Sequence, residues 1–155
     1  MVFKTLILLG FFFFTSEKSE TYKVIGVHDG DTINVLNNDL QETKIRLEGI
    51  DCPELGQPFG MKAKQFVSDL CFNKNVRIDS KGKDRYGRTL AWVYSESGTC
   101  INLMLVENGL AWHFKKYSKD PYLASAELKA RKLKINIWTE LNPIAPWDFR
   151  HHKSK

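Results

Sequence analysis

The stretch that decides the fold is YKVIGVHDGDTINVL at positions 22–36, followed by TKIRLEGI at positions 43–50. Both segments contain short runs in which apolar and polar residues alternate, which is typical of a β-strand with one buried face. The pair Asp29-Gly30 is typical of a tight turn, and residues 37–39 provide a second turn. The sequence therefore predicts a meander of three strands, over 22–28, 32–36 and 43–50.

Two further strands are predicted over 75–80 and 89–94, and a charged loop at 81–88 connects them. Apolar residues at helical spacing predict three helices in the remaining sequence. Gly109 is typical of a helix end, and Pro121 is tolerated in a first helical turn. The helices are predicted over 61–72, over 102–108 and from 121 onward. This order of elements favours an α+β class, namely a five-stranded OB-fold β-barrel with about three packed α-helices.

The first nineteen residues are interpreted as a signal peptide and not as part of the fold. Lys4 precedes an apolar run at 5–14, and a polar stretch follows it. The run is shorter than the roughly 20 apolar residues that a membrane span needs. Cleavage is expected within 16–19, and the alternative is an uncleaved membrane anchor, because no small-residue cleavage motif stands out. We therefore expect export, either to a periplasm or out of the cell.

Length and charge are those of a small basic protein. The chain has 155 residues, of which 43% are hydrophobic, and this fits a single core. We expect one domain over 20–140 and a Pro-rich basic tail over 141–155, in which Pro143 and Pro146 prevent regular structure. The formal net charge of +5 suits a polyanion such as nucleic acid, although many small basic proteins bind none.

Four acidic side chains are expected to meet where the strands of the meander end. Asp29 and Asp31 belong to the first turn, and Asp51 and Glu54 follow the third strand. Carboxylates that lie together repel one another unless a cation is bound among them, and such oxygen ligands suit Ca²⁺ or Mg²⁺. The alternative is that these residues serve the turns alone, in which Asp is common.

Arg46 in the third strand and Arg88 before the fifth are candidate phosphate ligands. A guanidinium offers a fork of donors that matches phosphate oxygens, although most surface arginines are simply solvated. Basic and aromatic residues are interleaved farther along the chain. Among them, Lys116 and Tyr117 are candidates for contact with nucleic acid, and Trp112 is assigned to the core.

Six segments of the sequence, taken together, resemble one known family. They are HDGDT at 28–32, IRLEGIDCPE at 45–54, DRYGRTLAWV at 84–93, NLMLVENGLA at 102–111, AELKAR at 126–131 and NIW at 136–138. In this order they resemble the staphylococcal nuclease (thermonuclease) family, over about residues 22–138. The resemblance implies a calcium-dependent nuclease that cleaves DNA and RNA, acts endonucleolytically and leaves 3′-phosphate products.

The resemblance also implies a metal site and a residue for the attacking water. One calcium ion is expected on Asp31, Asp51 and the main-chain carbonyl of Cys52, where the founding member has threonine. Glu54 is expected to orient or deprotonate the water. Asp29 is then left with its role in the turn.

In the same way, Arg46 and Arg88 are expected to stabilise charge on the phosphate as phosphorus becomes five-coordinate. Tyr86, Lys116 and Tyr117 are expected to make weaker substrate contacts. The loop at 55–60 is shorter than in the founding member, which is expected to alter substrate access. No stable protein partner is implied, and we expect a monomer.

Three cysteines remain to be placed. Their spacing matches no zinc pattern. The family fold brings positions 71 and 100 close together, which implies a Cys71–Cys100 disulfide and a free Cys52. The alternative is that all three are small buried apolar residues.

Two other functions are compatible with parts of the sequence. The first is a non-catalytic nucleic-acid-binding module of the same fold, but such a module has no reason to keep the five implied site residues together. A membrane-attached structural protein is the second, and it rests on the apolar N-terminus alone.

Overall fold

A closed β-barrel forms the centre of the fold. The computed structural model describes residues 21–153, so the predicted signal peptide at 1–19 lies outside the described residues. The strands are β1 Thr21–Val27, β2 Thr32–Leu36, β3 Glu42–Leu47, β4 Ile50–Asp51, β5 Asn75–Lys83, β6 Thr89–Ser95 and β7 Trp112–His113. Five of them close the barrel in the order β1-β2-β3-β6-β5, and β5 returns to β1. The predicted five-stranded barrel is confirmed.

Within residues 21–153 the structure has four α-helices, where about three were predicted. They are α1 Gly60–Cys71, α2 Ile101–Glu107, α3 Pro121–Lys132 and α4 Pro146–Lys153, with a 3₁₀ turn at Asn136–Thr139. The expectation of an irregular tail is wrong, because Pro146 begins α4. A proline costs little there, since the first turn of a helix leaves its N–H groups unpaired. Within residues 21–153, no helix is long and apolar enough to cross a membrane.

The predicted third strand is two strands separated by a turn. β3 ends at Leu47, and Gly49 then adopts a φ of +76°, which favours glycine. A Cβ atom at this position would also lie 2.8 Å from Cδ1 of Leu123. After the turn, β4 leaves the barrel and pairs with β7. This break places Asp51 beside the barrel mouth instead of continuing β3.

The core fills the barrel and the space between the barrel and its helices. It follows the alternation of the strands, since each contributes its inward side chains. The fully buried barrel residues include Val24, Ile33, Val35, Ile45, Leu47, Val76, Ala91 and Val93. One face each of α1, α2 and α3 covers the barrel, through Ala63, Val67, Ile101, Leu105 and Leu123 among others.

One buried amide fixes α2 to the barrel. Asn102 is fully buried, and its Oδ1 accepts a hydrogen bond of 3.0 Å from the N–H of Val93 in β6. Its Nδ2 donates to the carbonyls of Glu48 and Ala91, at 3.0 and 3.1 Å. A buried polar group without such partners costs about 1–3 kcal/mol. Asn102 therefore holds α2, β6 and the turn after β3 in a fixed relation.

The structure corrects the prediction made for the three cysteines. In the described part of the chain all three are free thiols, so the structure lacks the predicted Cys71–Cys100 disulfide. Cys71 is fully buried at the end of α1, and its thiol donates to the carbonyl of Val67 in the preceding turn, at 3.1 Å. Burial raises the pKa of Cys71 to about 12, with a smaller opposing effect of Lys74. Cys100 is half-buried and lies just before α2.

Thiol accessibility tests this arrangement. Native protein treated with iodoacetamide at mildly alkaline pH is expected to react first at Cys100, because Cys100 is half-buried whereas Cys52 and Cys71 are buried. Peptide mass mapping would locate the adduct. Protein denatured without reductant should take up three adducts. Uptake of the full number only after reduction would contradict the free thiols.

Candidate active site

One cavity of about 900 Å³ opens at the barrel mouth, beside the turn after β3. Its wall combines residues from β2, β3, β4, the loop before α1 and the loop before β6. The residues that the sequence marked for catalysis and metal binding all line it, namely Asp31, Arg46, Asp51, Cys52, Glu54 and Arg88. Residues distant in sequence therefore meet at one place.

Arg46 lies at the centre of this wall. Its Nη2 is 2.8 Å from Asp51 Oδ1 and 3.1 Å from Asp31 Oδ2, so one atom joins the two carboxylates. Its Nη1 donates to the carbonyls of Leu47 and Ile50, at 2.8 and 2.9 Å. Burial alone would lower the pKa of Arg46, but Asp31 and Asp51 raise it above its ordinary value. The guanidinium thus stays charged and fixes the turn that carries Asp51.

Asp31 is held at both of its carboxylate oxygens. Its Oδ2 accepts the N–H of Cys52 at 2.7 Å, and its Oδ1 accepts the Thr32 hydroxyl at 3.2 Å. Asp29 accepts the N–H of Asp31 at 3.0 Å, which is the turn role expected for it. Burial raises the pKa of Asp31 to about 7, although Arg46 acts in the opposite direction. Asp31 is therefore a buried carboxylate with a fixed orientation.

Glu54 lies in the loop before α1 and is partly exposed. Its N–H donates to Oε1 of Gln57 at 2.9 Å, and its carbonyl accepts the N–H of Gln57 at 2.8 Å. Gly60 begins α1 directly against this loop. A Cβ atom at position 60 would lie 1.9 Å from the carbonyl oxygen of Glu54, so the short loop requires glycine there. The loop is thus closed tightly around Glu54.

Arg88 reaches the cavity from the charged loop, and Asp84 holds it there. Nε and Nη2 of Arg88 both lie 2.7 Å from Oδ2 of Asp84. The other oxygen, Oδ1, accepts the backbone N–H groups of Tyr86 and Arg88. Burial alone would raise the pKa of Asp84, but these hydrogen bonds lower it. The sequence analysis missed Asp84, although it opens the DRYGR segment that contains Arg88.

The carboxylates offer a small set of hard oxygen donors. Within residues 21–153, no group of three or more His, Cys, Asp and Glu side chains forms a ready cation cage. Asp31 and Asp51 nevertheless converge on one guanidinium atom, and both side chains are buried. Two carboxylates fit a hard cation such as Ca²⁺, provided that carbonyl, water or phosphate oxygens complete its coordination.

A further arginine, which the sequence analysis did not identify, enters the cavity from α4. Nη2 of Arg150 is 2.7 Å from Asp51 Oδ2, and Nη1 is 2.7 Å from Glu54 Oε1 and 3.3 Å from Asp51 Oδ1. Burial alone would lower the pKa of Arg150, but these hydrogen bonds raise it. The order Pro146, Trp147, Asp148 is a helix-start signal that would have revealed α4, though not its contacts.

The cavity rim carries the weaker substrate candidates. Tyr86 and Tyr117 line the cavity with side chains that are 68% and 66% exposed. The Tyr117 ring lies edge-on to Phe114 at 4.9 Å. Lys116 lines an adjoining cavity of about 630 Å³, with Nζ 5.5 Å from the Tyr117 ring. Trp112 is buried against Trp138, as expected for a core residue.

Comparison with known proteins agrees with this geometry. Residues 44–140 match the family described as staphylococcal nuclease homologue. An uncharacterized endonuclease of Haemophilus influenzae is 44% identical over 138 residues, which cover 89% of this chain and 77% of the relative. A micrococcal nuclease of Shigella flexneri is 39% identical over 138 residues, with 83% and 79% covered.

The domain also occurs within longer proteins. A probable staphylococcal-like nuclease of Oryza sativa subsp. japonica, CAN2, is 35% identical over 133 residues, which cover 83% of this chain but only 33% of the relative. The fold, the cavity and these relatives lead to the same assignment. The chain belongs to the staphylococcal nuclease family and is a nuclease.

Proposed function

We propose that the protein is a calcium-dependent endonuclease that hydrolyses phosphodiester bonds of DNA and RNA and leaves 3′-phosphate ends. The observation that carries the proposal is the meeting of Asp31, Arg46, Asp51, Glu54 and Arg88 on one cavity wall. The cavity is open to solvent and flanked by basic and aromatic side chains, which suits a strand of nucleic acid.

The first part of the mechanism concerns the attacking water. Glu54 lines the cavity and its side chain is 39% exposed, so water reaches its carboxylate, one oxygen of which also accepts a hydrogen bond from Arg150. There it orients the water or accepts its proton as the oxygen bonds to phosphorus. The bond to the 5′ oxygen then breaks, and the phosphate remains on the 3′ oxygen.

The second part concerns charge on the phosphate. Arg88, held by Asp84, offers donors to the equatorial oxygens as phosphorus becomes five-coordinate. We assign Arg46 the same task, although in the structure it also binds Asp31 and Asp51. Both positions call for a guanidinium, since lysine is a point charge without a fork.

The metal and the substrate contacts complete the proposal. We assign one calcium ion to Asp31, Asp51 and the main-chain carbonyl of Cys52. When bound, it neutralises phosphate charge and polarises the scissile bond. Tyr86, Tyr117 and Lys116 are assigned to flanking nucleotides, because their exposed rings and ammonium group suit stacking and phosphate contact. We also propose that the protein is exported, on the basis of the N-terminal sequence.

Digestion of single-stranded DNA and of RNA tests the calcium requirement and the product. Both substrates should be cut with calcium and remain intact when EGTA is added. The new 5′ ends should accept phosphate from polynucleotide kinase without prior dephosphorylation, since the 5′ oxygen is the leaving group. Cutting that persists in chelator, or 5′ ends that are already phosphorylated, would contradict the proposal.

The variant Glu54→Gln tests the role of the carboxylate. It keeps the size of the side chain and removes the base, so kcat is expected to fall by about a hundredfold or more. Glu107→Gln is the matched control, because Glu107 is exposed at the end of α2 and lines neither cavity. A rate for Glu54→Gln equal to that of the control would exclude Glu54 from the reaction.

Asp84→Asn tests whether the ion pair positions Arg88. The amide oxygen can still accept the backbone N–H groups of the loop, but the charge that holds the guanidinium is lost. We expect kcat to fall by roughly tenfold with a smaller change in KM, because the affected contact matters in the transition state. Asp79→Asn, which breaks the exposed pair with Lys81, should leave kcat unchanged. Equal kcat values in both variants would refute the positioning role.

A further inference from the structure

The C-terminal helix α4 places a cation on the carboxylates of the active site. Arg150 bridges Asp51 and Glu54, at 2.7 Å to one oxygen of each. These residues are 99 and 96 positions away in the sequence. Residues 44–140 match the family, so α4 lies beyond the matched region. The contact thus joins a segment outside the matched region to two residues within it.

A guanidinium and a calcium ion compete for the same oxygen. Calcium binds carboxylate oxygens at about 2.3–2.6 Å, which leaves no room for a guanidinium nitrogen on the same side of the oxygen. Oδ1 of Asp51 already accepts a hydrogen bond from Arg46, and Oδ2 accepts one from Arg150. With Arg150 in this position, both oxygens of Asp51 already accept charged donors, so a calcium ion meets a competing cation at each of them.

Two sets of contacts hold α4 against the domain. The Trp147 ring stacks on Phe114, with centroids 5.0 Å apart and planes 4° from parallel. The side chain of Gln57 donates to the carbonyl of Ile144 at 3.2 Å, while its Oε1 accepts the N–H of Glu54. The approach of Arg150 is thus fixed by the loop that carries Glu54.

The contact is also of a kind that can open. The Arg150 side chain is 45% exposed, whereas the Asp51 side chain is 1% exposed. Solvent screening therefore weakens the pair, and the long side chain can turn toward water without disturbing the core. Arg46, which is mostly buried, lacks this freedom.

From these contacts we propose that Arg150 sets the calcium requirement of the enzyme, by occupying Asp51 and Glu54 until calcium displaces it. The proposal rests on the calcium site proposed above. We call Arg150 together with α4 the C-terminal latch. A latch closed in about nine of ten molecules weakens the apparent calcium affinity about tenfold. The nuclease would then be active only where calcium is abundant.

Calcium titration by calorimetry, without substrate, tests the latch in full-length protein. Arg150→Gln is expected to lower the Kd for calcium by roughly five- to tenfold, because competition is removed. Trp147→Ala keeps every charge and loosens α4, so its Kd should fall as well. Lys129→Gln is the matched charge control. It removes one positive charge from an exposed site on α3 outside both cavities and should leave the Kd nearly unchanged.

The outcomes separate the latch from the calcium site itself. Equal Kd values in wild type and Arg150→Gln, or a decrease that Lys129→Gln reproduces, would overturn the latch and leave the calcium site intact. No calcium binding by either protein would overturn both proposals. A lower kcat with an unchanged Kd would make Arg150 a phosphate ligand instead and would also overturn the latch.

Discussion

The guanidinium of Arg46 is the interaction on which the active site depends. It joins Asp31 and Asp51 through one nitrogen and the carbonyls of Leu47 and Ile50 through the other. The side chain proposed to stabilise charge on the phosphate therefore also has a structural task. Removing one partner of a buried ion pair costs about 3–5 kcal/mol, since the remaining charges are left uncompensated. The conformation of the turn after β3 and the orientation of the two carboxylates therefore depend on this arginine.

The other two arginines of the site are held less firmly, and this difference orders their roles. Arg88 is paired with Asp84 at the edge of the cavity, where its donors remain within reach of a substrate. Arg150 belongs to a helix that packs on the domain through Trp147, whose ring stacks on Phe114 and lies edge-on to Trp112, and through the hydrogen bond from Gln57 to Ile144. Rigidity thus decreases from Arg46 to Arg150. This order suits the proposed site, in which Arg46 supports the structure, Arg88 contacts the phosphate and Arg150 is displaced.

Sequence patterns predict most of the barrel and the residues of the family motifs, because these signals are local. Alternation and the turn at Asp29 define β1 and β2 within a residue of their observed bounds. The break after β3 is not evident from the alternation, which continues through it, although Gly49 adopts a positive φ there with Leu123 of α3 close by. The contacts of Arg150 are not evident from sequence either, because its partners lie in a distant part of the chain. Tertiary packing decides such features.

Closure of the barrel has a consequence for the cell that makes the protein. β1 is completed only when it pairs with β5, and β3 pairs in parallel with β6, so both contacts wait for chain synthesised much later. Asp31 and Arg88, which precede β2 and β6, line one cavity only after the sheet has closed. An unfinished polypeptide on the ribosome therefore carries these carboxylates and arginines but no assembled site. Nuclease activity, which would damage the nucleic acid of the cell that makes the protein, therefore arises only after the chain has folded.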